Sequence, residues 1–138
     1  MACNRTRLSL EDADLRIHHL ALRVADPESA AAFYSGVLGL RVLRRVAGAD
    51  GLRAVWLRAG TTILMLEREL RGQGAGGGSA HVVALAVEDL RAWQRRLRRA
   101  GIPVVDRTEH TLYVADPDGH RVGLTTYPAR AGHRAPVA

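Results

Sequence analysis

Apolar and polar residues alternate along residues 16–24. Leu20, Leu22 and Val24 fall on one side and His19, Ala21 and Arg23 on the other, the period of a strand. Asp26 offers an N-cap and Pro27 a first helical residue. Ala30, Phe33, Tyr34, Val37 and Leu38 then recur at helical spacing, which predicts a helix over 26–38 with Gly39 as its stop. Strands are predicted over 40–45, 52–58 and 61–67, the last two joined by a tight turn at Ala59-Gly60.

The same pattern is then written again. Val24 matches Val87 and Asp26 matches Asp89, both at an offset of sixty-three residues. A strand is predicted over 81–87, a capped helix over 89–100 that stops at Gly101, and strands over 111–115 and 121–127. Gly101-Ile102-Pro103-Val104 mirrors Gly39-Leu40-Arg41-Val42, and Asp116-Pro117-Asp118-Gly119 is a strong turn. Two similar units argue for an internal duplication. The expected class is α+β: two βαβββ modules with curled sheets around a shared cleft and helices outside. One domain spans 16–127, with module 1 at 16–70, a glycine-rich linker at 71–79 and module 2 at 80–127. Residues 1–15 read as a polar leader and 128–138 as a flexible tail.

Composition narrows this further. A chain of 138 residues is long enough for one real core. No run is long and apolar enough for a membrane span, and the first residues lack an apolar signal core, which points to the cytoplasm. A single cysteine, Cys3, excludes an internal disulfide. The net charge of +6 comes entirely from arginine, because the chain has no lysine. Schiff-base chemistry and a phosphate-loop lysine are thereby excluded. The densest arginine cluster, Arg91, Arg95, Arg96, Arg98 and Arg99, lies opposite Leu90, Trp93 and Leu97 on one helix. That is a solvated helix face, and no nucleic-acid-binding signature accompanies it.

Three stretches resemble the vicinal oxygen chelate superfamily of glyoxalases, bleomycin-resistance proteins and extradiol dioxygenases. They are His19-Leu20-Ala21-Leu22-Arg23-Val24, then Phe33-Tyr34 with Leu38-Gly39-Leu40, then Tyr113 through Arg121. The resemblance implies paired βαβββ units, often in homodimers. It also implies a divalent-metal site with ligands from the first and last strand of each unit. His19 fits the first ligand position; Met65, Val82 and Gly123 stand at the other three. A thioether, an isopropyl group and a hydrogen do not replace nitrogen or oxygen donors. A shifted metal site would need His19, Glu67 and His81, with His81 turned inward by a bulge.

Other candidates lie on the cleft parity of their strands. Relatives place a substrate-contacting tyrosine ten residues before the last ligand position, which is Tyr113 here. Its hydroxyl could orient a ligand or act as a weak acid, or the ring could simply pack. Arg23 could pair with an anion or sit in an edge salt bridge. Trp56 and Ile63 could line an apolar pocket, with Trp56 as easily in the core. Thr111 and Thr125 share the parity of Tyr113. His18 and His81 are expected to face away from the cleft, His120 to be exposed, and Asp116 and Asp118 to form a turn.

Two functions follow as expectations. The first is a metal-free, homodimeric protein that binds a small organic molecule, with no nucleic-acid or membrane partner. Bleomycin is cationic and this chain is basic, so a neutral or anionic aromatic ligand suits it better. A cofactor-free isomerase using His19 and Tyr113 would carry the same sequence. The second is a metal-dependent lyase, isomerase or dioxygenase in which the ion polarises two adjacent substrate oxygens.

Overall fold

The first strand, β1 (His19–Arg23), passes into a helix through Asp26, whose extended backbone (φ −134°, ψ 106°) and carboxylate cap the amide of Glu28. The computed structural model describes residues 16–70 and 81–127. The expected leader, linker and tail, and Cys3, lie outside the described residues. The helix is regular over α1 (Pro27–Ala31) and then widens into a π-helical segment, Ala32–Val37. The uniform helix expected over 26–38 is corrected in this respect. Leu38 donates its amide to Phe33, five residues back, at 3.0 Å. Adjacent Phe33 and Tyr34, both within this segment, are buried in the core. Gly39 ends the segment at φ 85°, in the left-handed region that favours glycine.

Three strands complete the first module: β2 (Arg41–Gly48), β3 (Gly51–Ala59) and β4 (Thr62–Glu67). Module 2 repeats the plan with β5 (Val82–Ala86), α2 (Leu90–Arg99), β6 (Asp106–Arg107), β7 (Thr111–Ala115) and β8 (Arg121–Thr125). The sheet orders are β1-β4-β3-β2 and β5-β8-β7-β6, with β1 parallel to β4 and β5 parallel to β8. The identical order confirms two βαβββ modules. Strand β6 is new relative to the pattern. It is only two residues long where β2 has eight, and Pro103, which has no amide to donate, precedes it.

Register assigns the two faces. Leu20 and Leu22 stand opposite Leu64 and Leu66, which stand opposite Leu57 and Val55. In module 2, Val83 and Leu85 stand opposite Val122 and Leu124, and these opposite Val114 and Leu112. With Val24, Phe33, Tyr34 and Leu97, the buried residues of these faces form one core common to both modules, with Leu22 and Leu85 partly buried against it and Leu20 at the exposed edge. Burying one such leucine contributes about 1.5–3 kcal/mol. The arginine face of α2 is exposed as expected, with Leu97 on its buried side.

The modules also meet through polar contacts on this helix side. Tyr34 Oη donates to Asp116 Oδ2 at 2.8 Å, and Arg96 Nε donates to the Val37 carbonyl at 2.8 Å. The amide of Ala25 donates to Asp118 Oδ1 at 2.8 Å, and His120 Nε2 lies 2.7 Å from the Arg23 carbonyl. Asp116 is a turn former, as expected: its Oδ1 accepts the amides of Asp118 and His120. His120 is half-buried rather than exposed, because this contact draws it onto β1. Among the described residues no backbone hydrogen bond joins one sheet to the other.

Candidate functional site

The opposite face of each sheet carries the candidate residues. In module 1 the rows run His19, Ile63, Arg58; then Ala21, Met65, Trp56; then Arg23, Glu67, Ala54. In module 2 they run Val82, Arg121, Ala115; then Ala84, Gly123, Tyr113; then Ala86, Thr125, Thr111. Every alternation-based placement of these residues therefore shares a face with its expected neighbours. Within one chain, however, His19 and Tyr113 stand on separate sheets that no backbone hydrogen bond connects.

On the first face, His19 is exposed and its Nδ1 lies 3.0 Å from Nδ1 of His18, with the rings edge-on at 5.2 Å. His18 precedes β1, so strand alternation does not hold it away from His19 as expected. Arg23 donates through Nε and Nη2 to the Leu70 carbonyl at 3.0 and 2.6 Å. Met65 is nearly covered between Ala21 and Trp56, and Trp56 is half-buried beneath the Arg44 guanidinium, 5.2 Å from its ring centroid. The indole Nε1 is buried and has no hydrogen-bond partner among the described residues.

The second face is built around Tyr113. Its Cε1 lies 3.2 Å from where a Cβ on Gly123 would stand, and Thr111 Cγ2 lies equally close. Tyr113 thus covers the glycine of the neighbouring strand. The Arg121 guanidinium stacks on the ring at 4.7 Å and donates to Asp106 Oδ2 at 2.6 Å. The Arg107 amide, and secondarily Arg121, hold the Asp106 carboxyl below the usual range. Thr111 donates to Thr125 Oγ1 at 2.9 Å, and Val82 is exposed at 40%. A hollow of about 250 Å³ lined by Gln94, Arg98 and residues 102–104 lies against α2 and shares no residue with either face.

The family's metal site does not fit these residues. Glu67 pairs with Arg23, four residues along the strand from the row of His19, a rise of about 13 Å, and His81 precedes β5. Among the described residues no group of three His, Cys, Asp or Glu side chains is placed to hold an ion. At the fourth ligand position a Cβ would stand 3.2 Å from both Tyr113 Cε1 and Thr111 Cγ2, so a side chain there would press on both.

Sequence patterning missed Arg44, Arg121 and Asp106. Arg121 was legible, since it shares parity with Gly123. Arg44 was not: a bulge between Val42 and Arg44 shifts the alternation and brings Arg44 opposite Trp56.

The repeated βαβββ unit, with one helix-backed core and two side-chain-bearing outer faces, places the chain among duplicated α+β proteins. Residues 16–124 match the Glyoxalase/Bleomycin resistance protein/Dioxygenase superfamily, and the chain belongs to it. The chain is 29% identical over 122 residues to a metallothiol transferase, FosB, of Bacillus licheniformis, covering 81% of this chain and 75% of that protein. Among solved structures, it resembles the trypanothione-dependent glyoxalase I of Leishmania major (26% identity, 80% and 86% of the two chains, TM-score 0.65). It also has the fold of TnmS3, an antibiotic-binding protein from Streptomyces sp. CB03234 (24% identity, 80% and 94%, TM-score 0.65). No helix among the described residues is long and apolar enough to cross a membrane.

Proposed function

We propose that this protein is a metal-free, small-molecule-binding member of the superfamily that takes a neutral or anionic aromatic compound. The observation that carries this reading is the packing of Tyr113 on Gly123, a residue with no side chain to offer a metal and with the tyrosine ring 3.2 Å from where a Cβ would stand. Aromatic and apolar groups, Trp56, Ile63, Met65 and Tyr113, stand where an aromatic ring would be held, and Arg23, Thr111 and Thr125 supply polar edges. A cytoplasmic setting suits a chain with a single cysteine.

The site works as part of a homodimer. Val82, Ala84 and Ala86 on β5, and His19 and Arg23 on β1, are exposed, while the contacts between modules lie on the other side. A second copy set against these faces closes the cleft with module 1 of one chain over module 2 of the other.

The likeness to a metallothiol transferase supports a second reading, a metal-dependent lyase, isomerase or transferase. Metal analysis of protein purified without chelator separates the two. Less than a tenth of an equivalent of Ni, Zn, Mn or Fe, as a rough working threshold, supports the first reading. One equivalent that vanishes in His19→Ala establishes the second.

A further inference from the structure

Strand register sets Arg41 of β2 directly opposite Arg58 of β3. Like charges opposite one another in an antiparallel pair repel, and their Cβ atoms lie about 4.5–5.5 Å apart. Two other described arginines are ion-paired: Arg45, on the helix side, meets Glu28 at 2.7 Å, and Arg121 meets Asp106 at 2.6 Å. Neither the Arg41 nor the Arg58 guanidinium has such a partner among the described residues. The acid of the same face, Glu67, stands opposite Arg23, four residues along β4 from the partner of Arg58.

A second, independent feature lies beside this pair. Trp56 is two residues from Arg58 on the same face, and its indole N–H is buried with no acceptor among the described residues. A buried donor left unpaired is costly and calls for a partner. Two unpaired cations and one unpaired N–H at one end of a face want the same thing: an anion with more than one oxygen.

We infer that Arg41, Arg58 and the Trp56 indole N–H form an oxyanion subsite. It takes the carboxylate or phosphate of an organic ligand whose apolar body lies over Ile63 and Met65. Those two residues are the β4 partners of Arg58 and Trp56, so head and body follow adjacent rows of the sheet. This rests on the small-molecule-binding reading and assigns the ligand its charge and orientation.

The test uses three probes with one ring system: 1-naphthoate, 1-naphthyl phosphate and neutral 1-naphthol. The readouts are the indole N–H resonances, assigned with Trp93→Phe, and the methyl resonance of Met65. Both anions should move the Trp56 indole resonance and bind about tenfold or more tightly than naphthol, as charge-assisted bonds do. Arg41→Gln and Arg58→Gln should each weaken the anions by about tenfold and leave naphthol unchanged. Both variants should melt at or above the wild-type temperature without ligand, because each relieves repulsion, so weaker binding cannot be put down to misfolding. The ratio of the two anions tells carboxylate from phosphate. If naphthol moves Met65 and binds as tightly as the anions while the indole resonance stays still, the oxyanion subsite is wrong and the binding reading stands. If no probe moves either resonance, both fall.

Discussion

Tyr113 lies against Gly123 across the β7–β8 pair, its Cε1 3.2 Å from the position of an added Cβ. This contact makes the glycine a packing residue. Gly123→Ala should destabilise the protein by about 1–3 kcal/mol, the usual cost of overpacking. Tyr113→Ala in the same chain frees the space, so the double variant should be less destabilised than the sum of the singles. Chemical denaturation of the four proteins measures the coupling, expected at about 0.5–2 kcal/mol. Strict additivity would mean that the two residues do not touch.

Tyr34 is the second pressure point. Burial first, and the Asp116 carboxylate after it, push its phenol well above the ordinary value, so it stays a protonated donor across the working pH range. Tyr34→Phe leaves Asp116 Oδ2 without this partner and should cost about 1–3 kcal/mol. Asp116→Ala should cost more, because it also strands the amides of Asp118 and His120. Urea midpoints in the order wild type, Tyr34→Phe, Asp116→Ala check this.

Acid sensitivity has a defined sign at Asp106. Its folded pKa is depressed, so the stability it adds is present above its unfolded value of about 3.9 and is lost as pH falls through the folded value. Arg121→Gln removes the lesser cause and leaves the Arg107 amide. A carboxyl NMR titration should therefore show the Asp106 pKa rising partway and remaining below the ordinary value. A full return would mean that the amide contributes nothing.

The proposed homodimer predicts a solution mass twice that of one chain at tens of micromolar, roughly where a specific interface holds. Val82→Glu, placed on the exposed face of β5, should shift the mass toward the monomer without lowering the content of secondary structure. Light scattering and circular dichroism on the same samples decide it.

Much of this was legible in the sequence because the strands are half-buried. Alternation of Leu20, Leu22 and Val24 with His19, Ala21 and Arg23 fixes a face without knowledge of the partner strand. The offset between Val24 and Val87 likewise revealed the repeat. The illegible parts are those where local pattern and tertiary contact diverge. The bulge that turns Arg44 toward Trp56 breaks the period. The widened turn after Ala31 carries Tyr34, whose partner Asp116 lies eighty-two residues away. Nothing in Gly123 itself announces that Tyr113 will lie over it.

The turn at Asp116–Gly119 grips the first helical stretch at Ala25, just before it, and at Tyr34, in its π-helical part, and the buried leucines of both sheets share one interior. A repeat ordinarily yields halves that could stand alone. Here neither half can shield its leucines without the other, so the chain should melt in a single calorimetric transition with equal van 't Hoff and measured enthalpies. Cutting it between the modules should give two fragments that recover structure only when mixed.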